Sequence, residues 1–264
     1  MTDYALRLSE QEIARYRLMA ESARAREADT WQLAGIVPGA RVADVGCGPG
    51  ALLPALSETV GESGAVEALD GDDDAVAAAR ALVDGAGLSN VTVRKGRAEA
   101  TGLEEGVFDA VMMRHVLAHN GRIAHEIVQH LAGLLRPGGC VLLVDVDMTA
   151  MRLRPQDEAV QQLVEAYRRF QLKRGAALEV GLHLDELLEG ARLDVLSYVG
   201  LADVMPLPPG VRGPAWAARE AMLDDGVVSA ADLEAWGRRF DELEASGERV
   251  TVFAPRYLAV GRRT

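Results

Sequence analysis

The residues best suited to chemistry begin with ADVGCGPGALL, Ala43 to Leu53, in which an acid precedes three glycines spaced two apart. Gly46, Gly48 and Gly50 make a GxGxG turn behind a short apolar run, where a strand hands over to a helix whose first amides can receive a ligand. A dinucleotide fingerprint reads GxGxxG instead, its third glycine letting the helix pack close behind the pyrophosphate. The next apolar run, VEALD, ends on Asp70, where an acid hydrogen-bonds ribose hydroxyls in nucleotide sites. His115 and His119 stand four apart, so on a helix they would share a face. A third ligand of suitable spacing is lacking, and no metal site is expected. His119 is a candidate general base or a histidine satisfied by backbone. Asp145 and Asp147 close a further apolar run, and strand alternation turns only one of them toward a ligand. His125 and His130 fall within a helix whose stripe is Ile123, Ile127, Leu131 and Leu135, which makes them surface or boundary residues.

Positioning these groups requires a sheet, and the chain alternates accordingly. RVADVGC, GAVEALD, NVTVRKG, FDAVMMRHV and CVLLVDVD read as strands, with helices predicted at GALLPALSETVG, DDDAVAAARALVDGAG and GRIAHEIVQHLAGLL. This is the pattern of a parallel, doubly wound sheet with helices on both faces. Ahead of it, Leu8 to Ala25 reads as a helix opened by a Ser9 and Glu12 capping box. After Met148 the rhythm changes. An amphipathic helix over PQDEAVQQLVEAYRRFQLKRG carries Val160, Leu163, Tyr167 and Phe170 at helical spacing, and GLHLDELLEGA forms another. A strand near LDVLSYVGLADV, a loop from Pro206 to Pro214, two short helices and a last strand, VTVFAPRYLAVGRR, complete the chain.

In order, RVADVGCGPG, VEALDGDDDAV, GRAEA, FDAVMMRHVLAH and LLRPGGCVLLVD resemble the motifs of class I S-adenosylmethionine-dependent methyltransferases, specifically the bacterial small-molecule type. The resemblance implies a Rossmann-like α/β fold, a seven-stranded mostly parallel sheet with an antiparallel last strand, helices on both faces and a helical lid. It divides the chain into an N-terminal lid segment (1–30), an S-adenosylmethionine-binding core (31–150), and a lid and substrate region with the final strands (151–264). It implies S-adenosyl-L-methionine as cofactor, with Asp44, Gly46, Cys47, Gly48 and Gly50 on its methionine side, Asp70 on ribose, and Gly71 and Asp72 beside the adenosine. The cofactor carries no phosphate, and its cationic sulfonium suits an acid such as Asp44. GRAEA, with Gly96, Arg97, Ala98 and Glu99, falls where the family commonly has Gly-Asp-Ala-Glu, which leaves adenine to the Arg97 guanidinium plane or to the backbone of Ala98. Arg114 and His115 match positions that touch the cofactor. Tyr4, Tyr16 and Arg17 would close over it from the N-terminal segment, and His119, Asp147, Tyr167 and Phe170 would face the acceptor.

The reaction implied is in-line displacement of the methyl by a small-molecule acceptor, such as a natural product, with His119 or His115 taking a proton where the nucleophile is a hydroxyl. Three alternatives stand beside it: a reaction of the same fold without methyl transfer, a nicotinamide-dependent oxidoreductase, and a binding module. The chain has 264 residues and a net charge of −12, which opposes a nucleic-acid partner. Two cysteines outside any ligand spacing, the absence of a run near the roughly 20 apolar residues of a membrane span, and a charged first stretch point to a reduced, cytoplasmic, membrane-free protein. A homodimer is left open.

Overall fold

The computed structural model describes residues 10–208, 210–248 and 250–264, with side chains from residue 13 onward. Helices α1 (Glu10–Arg26) and α2 (Ala28–Leu33) lead into β1 (Arg41–Val45), α3 (Leu53–Val60), β2 (Ala65–Asp70), α4 (Asp73–Ala86), β3 (Val91–Lys95) and β4 (Phe108–Arg114). A 3-10 segment (Leu117–Ile123), α5 (Ala124–Leu134) and β5 (Leu135–Val146) complete the alternation. There follow β6 (Arg152–Arg154), α6 (Glu158–Lys173), a second 3-10 segment (Val180–His183), α7 (Leu184–Gly190), β7 (Asp194–Pro206), α8 (Gly213–Ala217), α9 (Arg219–Asp224), α10 (Ala230–Ala245) and β8 (Thr251–Arg262).

The sheet runs β3-β2-β1-β4-β5-β8, with β7 on the other side of β8. The first five strands are parallel, and β8 is antiparallel to both β5 and β7. The mostly parallel Rossmann-like sheet is as expected, with one strand more than seven. That strand is β6. β8 outruns β5, which pairs with it only as far as Arg256, and Arg152–Arg154 take up the edge opposite Thr251–Phe253. Unpaired backbone polar groups there would otherwise need another partner. Helix α2, which buries Trp31, was also not foreseen.

Local chemistry explains the boundaries nearest the site. Asp72 caps α4 by accepting the Ala75 amide, acids fill the first turn, and Gly87 ends the helix in the left-handed region. Pro54 sits in the first turn of α3, where its missing N–H costs no hydrogen bond. The Ser9 and Glu12 capping box lies outside the described residues.

Apolar packing divides into three. Leu69, Val111, Ile127, Leu131 and Leu184 belong to a core on the α5 and α7 face of the sheet. Val42, Leu56, Val66, Ala79 and Leu142 belong to one on the α3 and α4 face. A third joins Val160, Leu163, Tyr167 and Phe170 of α6 to Met222, Trp236 and Phe240 of the last helices, giving the lid its own core. Among the described residues no helix is long and apolar enough to cross a membrane.

Candidate active site

The strands β1, β2, β4 and β5 point their carboxyl ends at one cavity, where the crevice of an open α/β sheet is expected. After β1 the chain turns through Gly46 with φ of +83°, and a Cβ there would collide with Val116 Cγ2, so only glycine fits. Gly50 has a different task. A Cβ on it would come within 3.0 Å of Ala79 Cβ, which makes Gly50 the residue that lets α3 and α4 approach, and it does not line the cavity. Between them the Gly48 N–H donates to Asp70 Oδ2 at 2.8 Å, and the Asp72 N–H donates to Asp70 Oδ1 at 2.9 Å. Burial pushes the Asp70 carboxyl up against the pull of these amides. Asp44, on β1 and almost wholly buried, is pushed up to about 7, burial and Asp70 outweighing the attraction of Arg114. The Cys47 thiol is raised by burial and by both acids.

Arg114 ends β4 and forms an ion pair with Glu27, which also binds Arg256. Glu27 is fully buried, and Arg256 pairs on with Asp203 of β7. This chain of charges fastens the α1–α2 junction to β4, β7 and β8 under the cavity. His115 follows with φ of +56°, a left-handed position that strains a non-glycine residue, and its N–H donates to the Val144 carbonyl at 2.8 Å. Its Nδ1 lies 4.0 Å from Asp145 Oδ1, and burial followed by Arg114 holds the imidazole well below the usual histidine range. Asp145, pushed up to about 6 by burial, accepts the Ala118 and Val146 amides and so shapes the turn that carries both histidines. Asp147 Oδ1 holds the following turn by accepting Thr149 N, Thr149 Oγ1 and Ala150 N. Both acids reach the cavity wall, against the expectation that only one would, because the strand ends at Val146 and its alternation does not govern Asp147.

His119 Nδ1 lies 3.3 Å from Gln171 Oε1 on α6. An amide oxygen only accepts, so Nδ1 carries the proton and Nε2 keeps a lone pair. Burial lowers the pKa of this ring, with Gln171 pulling the other way.

The cavity holds about 650 Å³, within the range of small-molecule sites. Asp44, Gly46, Cys47, Gly48, Asp70, Gly71, Asp72, Gly96, Arg97, Ala98, Glu99, Arg114, His115, His119, Asp147 and Tyr167, all named from the sequence, line it. Three further expectations need correcting. Arg17 is exposed on the outer side of α1; the helix turns Arg15, Tyr16, Met19 and Ala20 inward instead, a shift in phase no capping signal resolved. Phe170 is completely buried in the lid core and leaves the wall to Tyr167. Gly50 packs helices, as described. Tyr4 lies outside the described residues. Arg97 is largely exposed and paired with Glu99, so its guanidinium is already engaged at the rim. Gln171, Glu27, Asp203 and Arg256 escaped the sequence reading. Only Gln171 had a local signal, its place four residues beyond Tyr167 on the inner stripe of α6.

The donor set around the glycine turn fits a cationic ligand better than a pyrophosphate. Asp44, Asp70, Asp72, Asp73 and Asp74 line that end, while Lys95 is bound to Asp73 and Arg97 to Glu99. A phosphate pair there would meet acids without a free guanidinium or ammonium among these residues. Among the described residues no group of three or more His, Cys, Asp or Glu side chains could hold a metal ion.

Comparison with known proteins agrees with this arrangement. Residues 42–139 match the family described as "Methyltransferase domain". Demethylmenaquinone methyltransferase from Shouchella clausii is 31% identical over 117 residues, 44% of this chain and 49% of that protein. The chain thus spans about half the length of the curated relatives it matches. Among solved structures, a putative methyltransferase from Bacillus halodurans superposes with a TM-score of 0.61 at 20% identity, over 91% of this chain and 100% of the other. The 4+2 cyclase SpnF superposes with a TM-score of 0.55 at 17% identity, over 99% of this chain and 85% of the other. Identities this low speak to fold alone, and the fold is that of the class I S-adenosylmethionine-dependent methyltransferases.

Proposed function

We propose that this chain, a class I S-adenosylmethionine-dependent methyltransferase by fold and by its domain at residues 42–139, transfers a methyl group to a small-molecule acceptor seated under the helical lid. The observation that carries this reading is the acid-lined glycine turn, with Asp44 buried and Asp70 half-buried beside it and Asp70 bonded to the Gly48 amide at 2.8 Å. Asp70 supplies acceptors suited to a ribose diol, and Asp44 supplies negative charge suited to a sulfonium. The turn with His115, the Arg114 side chain and Ala98 form the remaining walls. When bound, the cofactor supplies an electrophilic methyl carbon on a positively charged sulfur.

The chain's own groups then hold the acceptor and move its proton. Gln171 fixes the His119 ring so that Nε2 would take the proton of a hydroxyl nucleophile directed at that methyl carbon. Asp145 positions the turn on which His119 rides. Tyr16 on α1 and Tyr167 on α6 keep bulk water from the space between, where proximity and desolvation act. A natural-product acceptor is consistent with a lid that has its own apolar core.

Calorimetry tests the reading. S-adenosylmethionine and S-adenosylhomocysteine are expected to bind with micromolar-class affinity and NAD not to bind; tight NAD binding without either sulfur compound would overturn it. Because the same fold serves a cyclase, product mass after incubation with candidate acceptors separates methyl transfer from a reaction that leaves the methyl in place.

A further inference from the structure

Three adjacent strands place one row of side chains along the far half of the cavity. Leu153 of β6 and Met205 of β7 both stand opposite Val252 of β8, one on each side. Side chains two apart on a strand share a face. The cavity-facing row of β8 is therefore Arg256, Ala254, Val252 and then Val250, just before the strand begins, and that of β7 is Asp203, Met205 and then Leu207 beyond its end. The wall is charged at the cofactor end and apolar beyond it. From Ala254 to Val250 it extends about 13 Å at roughly 3.3 Å per residue.

Helix α6 forms the opposing wall with the same polarity. Val160, Leu163, Val164, Tyr167 and Gln171 lie along its inner stripe, and the polar end, Gln171, meets His119. From Gln171 to Val160 is about 16 Å at 1.5 Å per residue. Met151, Leu153, Val164, Met205, Leu207 and Val252 are each only half-buried although they face this interior space. The cations of the chamber are engaged: Arg212 by Asp241 and Glu244, Arg256 by Glu27 and Asp203, and Arg174 lies 3.7 Å from Asp225. Arg15 rests over the Tyr16 ring, with its Nη1 2.9 Å from Met19 Sδ.

We infer that the acceptor is an uncharged amphipathic molecule: a single polar head, bearing the nucleophile, lies at the outer edge of the His119 ring, beside the His119–Gln171 pair, and an elongated apolar body lies along Met205, Val252 and Leu153 against Val160 and Val164. This rests on the proposed methyltransferase reading and adds the chemical class of its acceptor. An anionic head would have to draw Arg174, Arg212 or Arg256 away from its carboxylates or Arg15 away from the Tyr16 ring and Met19, and a wholly polar molecule would leave the apolar rows unfilled.

Three probes separate the elements of this inference by calorimetry at pH 7.5, with and without S-adenosylhomocysteine: 4-heptylphenol (neutral head and apolar tail), phenol (the head alone) and 4-heptylbenzoate (the same tail on an anion). Heptylphenol is expected to bind at least a hundredfold more tightly than phenol and at least tenfold more tightly than heptylbenzoate. The substitutions Val164→Asp and Met205→Glu should each weaken heptylphenol at least tenfold while leaving S-adenosylhomocysteine affinity within twofold. Preference for heptylbenzoate, or equal binding of phenol and heptylphenol by the unaltered protein, would overturn the inference whether or not either variant folds. Failure of S-adenosylhomocysteine to bind would instead strike the cofactor reading, since the probe order is also measured without it.

Discussion

Asp70 accepts the Gly48 amide hydrogen at 2.8 Å, tying the glycine turn after β1 to the last residue of β2. The same carboxylate accepts the Asp72 amide and so sets the residue that caps α4. One side chain thereby aligns three segments around the nucleoside end of the cavity. Asp70→Ala is expected to weaken S-adenosylhomocysteine binding by about 1.5 to 3 kcal/mol, the scale of hydrogen bonds to a charged group. Calorimetry giving an unchanged affinity would remove Asp70 from the site.

Asp44 should trade stability for ligand binding. Its folded-state pKa is about 7 against an ordinary 3.8, so between those values the folded chain holds a proton that the unfolded chain has released. The stability from this group is therefore fully present below pH 3.8 and lost as pH rises through about 7. At about 1.4 kcal/mol per pKa unit the loss is at most about 4 kcal/mol. Asp44→Asn should raise the melting temperature of the ligand-free protein at pH 8, by less at pH 5, and should weaken cofactor binding. A melting temperature unaltered at both pH values would mean that Asp44 is solvated in the free protein.

The parts of this molecule that could be read from sequence are those whose signal is local. The GxGxG turn, Asp70 closing its strand and the acids opening α4 announce themselves because backbone φ and helix capping depend on near neighbours. The phase of α1 was not legible. Only Ala23 is apolar and fully buried among its described side chains, so no hydrophobic stripe marks which of Arg15 or Arg17 turns inward. Glu27, Asp203 and Arg256 are brought together from positions 176 and 53 residues apart, which no periodicity reports. β6 is three residues long and exists only because β8 outruns β5.

That buried ion network should prove fragile to loss of its shared acid. Glu27 is fully buried between Arg114 and Arg256, and it also accepts from Trp31 Nε1 at 3.4 Å. Glu27→Ala leaves two buried guanidiniums short of a counter-charge and should cost about 3 to 5 kcal/mol. Urea denaturation would report it. A loss under about 1 kcal/mol would mean that water reaches the pair.

His119 is expected to act in its neutral form, so kcat should be level at neutral pH and fall only as pH drops below the ordinary histidine value of 6.5, because burial lowers its pKa. His119→Asn should reduce kcat by about 10²- to 10⁴-fold with a hydroxyl acceptor. Gln171→Leu has a sharper signature. Gln171 raises the His119 pKa, so its loss should lower the rate and move the acid limb to still lower pH. A pH profile unmoved by either substitution would leave the histidine a structural role.

Closure of the lid is the remaining expectation, and it concerns α1 and α6. Arg15, Tyr16, Met19 and Ala20 of α1 overlie the glycine turn, and the Tyr16 ring comes within 3.4 Å of the Cβ position of Gly48. Yet α1 buries little apolar surface, which assigns it to the less stable end of the structure. α6 is better packed on its lid core but leaves Val164 half-buried toward the cavity. Methyl transfer needs water excluded, and both helices stand where exclusion must occur. Amide exchange in Glu10–Met19 and Val160–Phe170 should therefore slow when S-adenosylhomocysteine binds, beyond any slowing in Ile123–Leu135, whose Ile127 and Leu131 are sealed against the sheet. Equal slowing in all three segments, or none in the first two, would mean a preformed, open site. Selection of the acceptor would then fall to Leu207, Arg212 and Pro214, which form the rim after β7.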